Sequence, residues 1–208
     1  SIVSWTANGS NNATIGHGLG STPAIVIYKR LDGTGSWYVL YTFVDGSQDY
    51  LILDSTSAKA DLASSTYGTA TSSTISNIGF TNTHSILAYC FAEKQGFSKF
   101  GSYTGNGNAD GTFVYTGFKP AFVMIKATSG TENWQMYDNK RLGYNVDNNM
   151  LRANLSNAEQ TDDDIDILSN GFKLRRNSGA FNNSGSTYIY MAIGQSLVGT
   201  NNIPNNAR

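Results

Sequence analysis

The residues able to do chemistry are few and scattered. His17 and His84 have no cysteine or carboxylate partner at the spacing of a metal-ligand set. His17 sits between Gly16 and Gly18, and His84 just ahead of an apolar run at 86–91, so both are expected at turns or strand edges. Cys90 lies inside that run and reads as a buried thiol, and a single cysteine leaves no internal disulfide. There is no Gly-x-Ser-x-Gly elbow, and serine is too abundant for any one pairing with histidine to be informative. The densest charge is the run Thr161, Asp162, Asp163, Asp164, Ile165, Asp166. Such carboxylates can gather Ca²⁺, but the run lacks the central glycine and closing glutamate of a calcium loop. It is expected to be a solvated loop ahead of a strand, capped by Arg175 and Arg176. Glycoside hydrolysis would need one desolvated carboxyl facing a second across a cleft. The acids here lie in polar loops rich in Asn and Gly, where nothing predicts burial. The chain is therefore expected not to be an enzyme, with no catalytic residue, no metal and no cofactor.

Aromatic side chains are the remaining candidates for binding. Trp and Tyr faces can stack on the C–H faces of sugar rings, with Asn, Asp and Gln supplying the polar contacts around them. Tyr38, Tyr67 and Tyr144 lie in or beside polar loops and have no counterpart elsewhere in the chain, which makes them the candidate ligand-binding residues. The Asn-x-Ser/Thr triplets at Asn8, Asn12, Asn154 and Asn182 are expected by chance in so Asn- and Ser-rich a sequence.

The elements that must position these residues are strands. Of 208 residues, 39% are hydrophobic and only 14% charged, and the balance is made up by 22 Gly together with Asn, Ser and Thr. Twelve Tyr, ten Phe and three Trp complete a composition that favours sheets with tight turns over helices. A net charge of −1 offers nothing to a phosphate backbone or an anionic membrane, and no apolar run is long enough to span a bilayer. No nucleic-acid partner and no membrane insertion are expected.

The chain repeats itself. Gly20, Pro23, Ala24 and Val26 recur as Gly117, Pro120, Ala121 and Val123, at an offset of 97, and Trp37 and Trp134 keep that offset. Upstream, residues 5–9 (WTANG) face 103–107 (YTGNG); downstream, the run at 86–91 answers that at 188–193. Each copy reads as a meander of short strands: a Gly-x-x-Pro turn, an apolar strand buried on both faces, a tryptophan strand and a closing strand. The expected fold is all-β, with two tandem β-sandwich or jelly-roll-like modules at residues 1–95 and 96–195 and an extended C-terminal arm at 196–208. One helical turn is expected near Leu155 and Glu159. The segment at 92–99 is expected to dock and not float, because Phe97 and Phe100 belong to it or follow it directly. Trp37 and Trp134, being repeated, read as scaffold. Function is expected in what is not repeated: residues 55–76, residues 144–166 and the arm.

Certain pieces resemble a two-repeat domain of uncharacterised function found in virion proteins of tailed phages, marine ones in particular. They are residues 103–107, 113–126 (FVYTGFKPAFVMIK), 133–141 (NWQMYDNKR), 166–173 (DILSNGFK), 187–192 (TYIYMA) and the closing residues 201–204 (NNIP) with Ala207 and Arg208. The resemblance runs through most of the chain and is closer in the second half. It implies a natural C-terminus, with Ser1 a cut or processed end. It also implies a tail-fibre or appendage domain on the virion surface that recognises a host glycan, with homotrimers and other virion proteins as partners. The alternatives are a structural or decoration module of capsid or tail that binds no ligand and, third, a polysaccharide depolymerase. The family brings no catalytic motif to place on this sequence.

Overall fold

The computed structural model describes residues 1–10, 13–62, 68–141, 145, 148–162 and 164–195. All regular structure among them is β; no helix occurs. The first half contains β1 (Ile2–Thr6), β2 (Thr14–Gly16), β3 (Ile25–Arg30), β4 (Tyr38–Tyr41), β5 (Asp49–Ile52), β6 (Ala60–Asp61), β7 (Thr74–Ser76) and β8 (Ser85–Phe91). The second half contains β9 (Ser98–Thr104), β10 (Phe113–Tyr115), β11 (Pro120–Ala127), β12 (Gln135–Asp138), β13 (Asn148–Arg152), β14 (Gln160–Asp162), β15 (Ile165–Leu168), β16 (Gly171–Leu174) and β17 (Thr187–Gly194).

The two halves are wired alike. One six-stranded sheet runs β1-β8-β3-β4-β5-β6 and the other β9-β17-β11-β12-β13-β14, the same path through the corresponding strands. Each large sheet carries a small one: the pair β2-β7 in the first half, the triplet β10-β16-β15 in the second. Equivalent turns are closed by equivalent bonds. The Trp37 amide donates to Asp54 Oδ1 at 2.9 Å, and the Trp134 amide to Asn154 Oδ1 at 3.0 Å.

Alternation along the central strands explains the layering. Successive strand side chains point to opposite faces, and in β3 both faces are buried. Val26 and Tyr28 enter a core with Ile75, Ile86 and Ala88, beneath the small sheet. Ile25 and Ile27 enter a different core, which also holds Met124, Trp134, Ile189 and Met191 from the second half. On β11 and β17 the opposite face (Val123, Ile125, Tyr188, Tyr190) packs on Val114, Ile165 and Phe172 of the triplet. The molecule is therefore a stack of four sheets: small, large, large, small. Each half is a β-sandwich, and the two large sheets meet face to face.

Specific bonds pin that central contact. Trp134 Nε1 donates to the Ile52 carbonyl at 2.9 Å, and the Lys59 amide to Thr128 O at 2.8 Å. Lys126, fully buried, donates from Nζ to Thr56 O at 3.2 Å and Ala127 O at 3.0 Å. The join between the halves is a tight turn: the Phe97 amide bonds Lys94 O at 2.9 Å, and Ser98 Oγ bonds Ala92 O at 2.9 Å. The helical turn expected at Leu155 and Glu159 is absent. Asn154 puts its side chain into the Trp134 amide and Asn133, so the chain makes a single turn closed by Leu155 N to Arg152 O and then extends into β14. The arm at 196–208 lies outside the described residues.

Candidate functional site

The acidic run at 162–166 is only partly the solvated loop expected. Asp164 is buried, accepting from Tyr137 Oη at 3.0 Å and pairing with Arg176 at 2.5 Å. Asp166, half-buried on β15, pairs with Arg175 at 3.3 Å. The two arginines do cap the run, but they draw Asp164 inward, and burial beside it pushes the Tyr137 phenol well above its usual range. Asp163 lies outside the described residues. His17 is buried with both ring nitrogens used: Nε2 on Thr71 O at 3.0 Å, and Nδ1 accepting from the Leu19 amide at 3.2 Å. It fastens the turn between β2 and β3 to the loop before β7. His84 bonds Thr81 Oγ1 in an exposed turn, and Cys90 is a buried thiol in the first-half core.

Of the three tyrosines singled out, Tyr38 is half-buried on β4, its ring 5.8 Å from that of Tyr50 and packed against the first-half core. Tyr67 and Tyr144 lie outside the described residues. The two repeated tryptophans both join the core between the large sheets. Trp134 is buried there, whereas Trp37 is half-buried, stacked on Tyr89 at 6.2 Å with the Lys29 ammonium 5.5 Å from its ring.

The outward face of the triplet sheet presents a different pair. On β10, Val114 points into the core while Phe113 and Tyr115, on either side of it, face solvent at 44% and 64% exposure. Alternation puts both rings on one face, about 7 Å apart along the strand. Phe113 stands opposite Lys173, and Tyr115 opposite Gly171. The Phe113 ring lies over Gly171: a Cβ at 171 would come within 3.1 Å of Phe113 Cε2 and collide with the Val114 carbonyl oxygen. Tyr115 in turn covers Gly117, whose φ of +82° suits glycine. Charged groups border the rings: Lys173 bonds Asp110 at 2.6 Å, which holds that carboxyl below its usual range, and Asp166 with Arg175 lies one strand further on.

This aromatic pair is not part of the repeated framework. β2 pairs with β7 as β10 pairs with β16, and that register sets Thr14 and Gly16 where the second half has Phe113 and Tyr115. The sequence carried the signal, because Phe-Val-Tyr alternates where its counterpart reads Thr-Ile-Gly. The local offset here is 99, and with no residue type shared between Thr14-Ile15-Gly16 and Phe113-Val114-Tyr115 the correspondence shows only in the strand pairing.

No curated protein and no solved structure matches the chain. The family described as Domain of unknown function (DUF7483) matches residues 1–196, a span that contains every strand of both sandwiches. The chain belongs to that family.

Proposed function

We propose that this protein is a surface module of a phage virion, a tail-fibre or appendage domain, that recognises a host-surface glycan without cleaving it. The observation that carries the binding part is the pair of exposed rings Phe113 and Tyr115 on one face of an outer sheet, at positions where the first half has Thr14 and Gly16. Flat aromatic faces beside an ion-paired rim can offer C–H stacking and hydrogen bonds to the same sugar. A scaffold with 14% charged residues and a net charge of −1 suits an exposed part that must not bind polyanions indiscriminately. The resemblance to phage virion domains supports the setting, and with it self-association as a homotrimer and contact with other virion proteins.

The test is a glycan array with host-adsorption competition, run on the isolated chain and on Tyr115→Ala. Binding that the substitution abolishes supports recognition by this face. No glycan signal and no competition with infection would favour a purely structural module. Release of oligosaccharide from host polysaccharide would contradict the non-catalytic reading, and a monomer in solution would remove the trimer.

A further inference from the structure

Three carboxylates converge at the corner of the first large sheet. Tyr41, Asp49 and Asp61 stand in one cross-strand row over β4, β5 and β6, Tyr41 opposite Asp49 and Asp49 opposite Asp61. Like charges directly opposite one another destabilise a strand pair unless something bridges them. Asp45, in the turn before β5, completes the group, and one oxygen from each of the three carboxylates falls within a 4.8 Å spread. Two oxygens on a calcium ion, each about 2.4 Å from it, sit at most about 4.8 Å apart. At the centre is the Lys59 ammonium, 2.9 Å from Asp45 Oδ2, 2.8 Å from Asp49 Oδ1 and 2.9 Å from Asp61 Oδ1. One ammonium serves three carboxyl groups.

Two buried polar atoms at this corner have no partner. Asp49 is fully buried, and its Oδ2 accepts no hydrogen bond. The Tyr41 hydroxyl, on a side chain with 2% exposure, is equally without one. Strand register sets Tyr41 directly opposite Asp49, so its side chain stands in the same row as the cluster. Leaving such atoms unpaired is costly. A hard cation with its water would satisfy both oxygens at once.

We propose that Asp45, Asp49 and Asp61 form a calcium site, with the Tyr41 and Ser47 hydroxyls beside it and the Lys59 ammonium as its resident stand-in. Ser47 Oγ already bonds Asp45 Oδ1 at 2.5 Å and Asp49 Oδ1 at 3.2 Å, which places a further neutral oxygen at the rim. Lys59 keeps a quarter of its side chain exposed and can swing out to water. Calcium suits this irregular oxygen set better than magnesium, which demands a near-ideal octahedron. The site has a structural consequence. An ion here ties Asp61 of β6 to Asp49 of β5 and to the Asp45 turn, while the strap keeps its own bonds to the second half through the Lys59 amide and the Thr56 carbonyl.

The experiment titrates Ca²⁺ into the full chain, following Tm and tyrosine-sensitised Tb³⁺ luminescence with Ca²⁺ as competitor. The chains compared are wild type, Lys59→Met and the exposed double variant Asp45→Asn/Asp61→Asn. Calcium is expected to raise Tm in wild type, and Mg²⁺ at equal concentration to raise it less. Removing the competing ammonium is expected to tighten binding by about tenfold or more, because one unit charge leaves contact distance. Lys59→Met is also expected to be less stable than wild type without Ca²⁺ and to regain Tm with it. The double variant, which retains Asp49 in the core, should lose both the Tm shift and the Tb³⁺ signal. No calcium-dependent shift in wild type or Lys59→Met, or a shift that survives in the double variant, would overturn the site.

Discussion

Asp164 is accommodated in the interior because Tyr137 and Arg176 hold its two oxygens. A buried carboxylate that loses a donor keeps its desolvation cost without the compensation. Tyr137→Phe is therefore expected to cost about 2 kcal/mol, seen as a lower denaturation midpoint with an unchanged slope. Tyr115 is the opposite case. Its ring is mostly exposed, so Tyr115→Ala should shift stability by no more than about 0.5 kcal/mol while removing glycan binding. At this scale the sequence was a partial guide. Arg175 and Arg176 could be matched to the acidic run, but that Asp164 turns inward depends on Tyr137, which lies 27 residues away. Asp45, Asp49 and Asp61 look like ordinary surface acids until strand register sets Asp49 and Asp61 opposite each other.

The strands themselves were largely legible. The runs through Val26 and Val123 are apolar at consecutive positions because β3 and β11 are central strands with a sheet packed on either side, and the sequence shows that burial directly. The small sheets were harder. β2, β7 and β10 are three residues each, too short for alternation to stand out. Lys126 on β11 gives the clearest consequence at the scale of an element. Burial against the strap at Thr56 lowers its pKa to about 8, below that of an unfolded lysine. Between about pH 8 and 10.5 the unfolded chain binds the extra proton, so stability rises with pH across that window as the burial penalty on the charged form is relieved. Urea titrations at pH 7.5 and 10 should show this rise in wild type and a flatter response in Lys126→Met. An equal rise in both would assign it elsewhere.

At the scale of the whole molecule, the repeat foretold two sandwiches but not their relation. Nothing in either copy says which face of its large sheet is left for the other. Residues such as Ile27, Met124 and Met191 look like ordinary core, and their partners come from the opposite half. Because that core is shared, the halves are expected to unfold in one transition. Trp134→Ala, which empties the centre and frees the Ile52 carbonyl, should cost about 4 kcal/mol and lower the melting of both halves together. Calorimetry would show two separated peaks if the halves were independent. The four-layer stack also turns the two small sheets outward at opposite ends, and among the described residues only the triplet carries an exposed aromatic pair. The most direct measurement is retention of the chain on immobilised host-surface polysaccharide, comparing wild type with Phe113→Ala, Tyr115→Ala and, as a control, Thr14→Ala. The glycan-recognition account predicts that wild type and Thr14→Ala bind alike, while each aromatic substitution weakens binding by about tenfold or more. Undiminished binding by Tyr115→Ala and Phe113→Ala, or no binding by wild type, would contradict it.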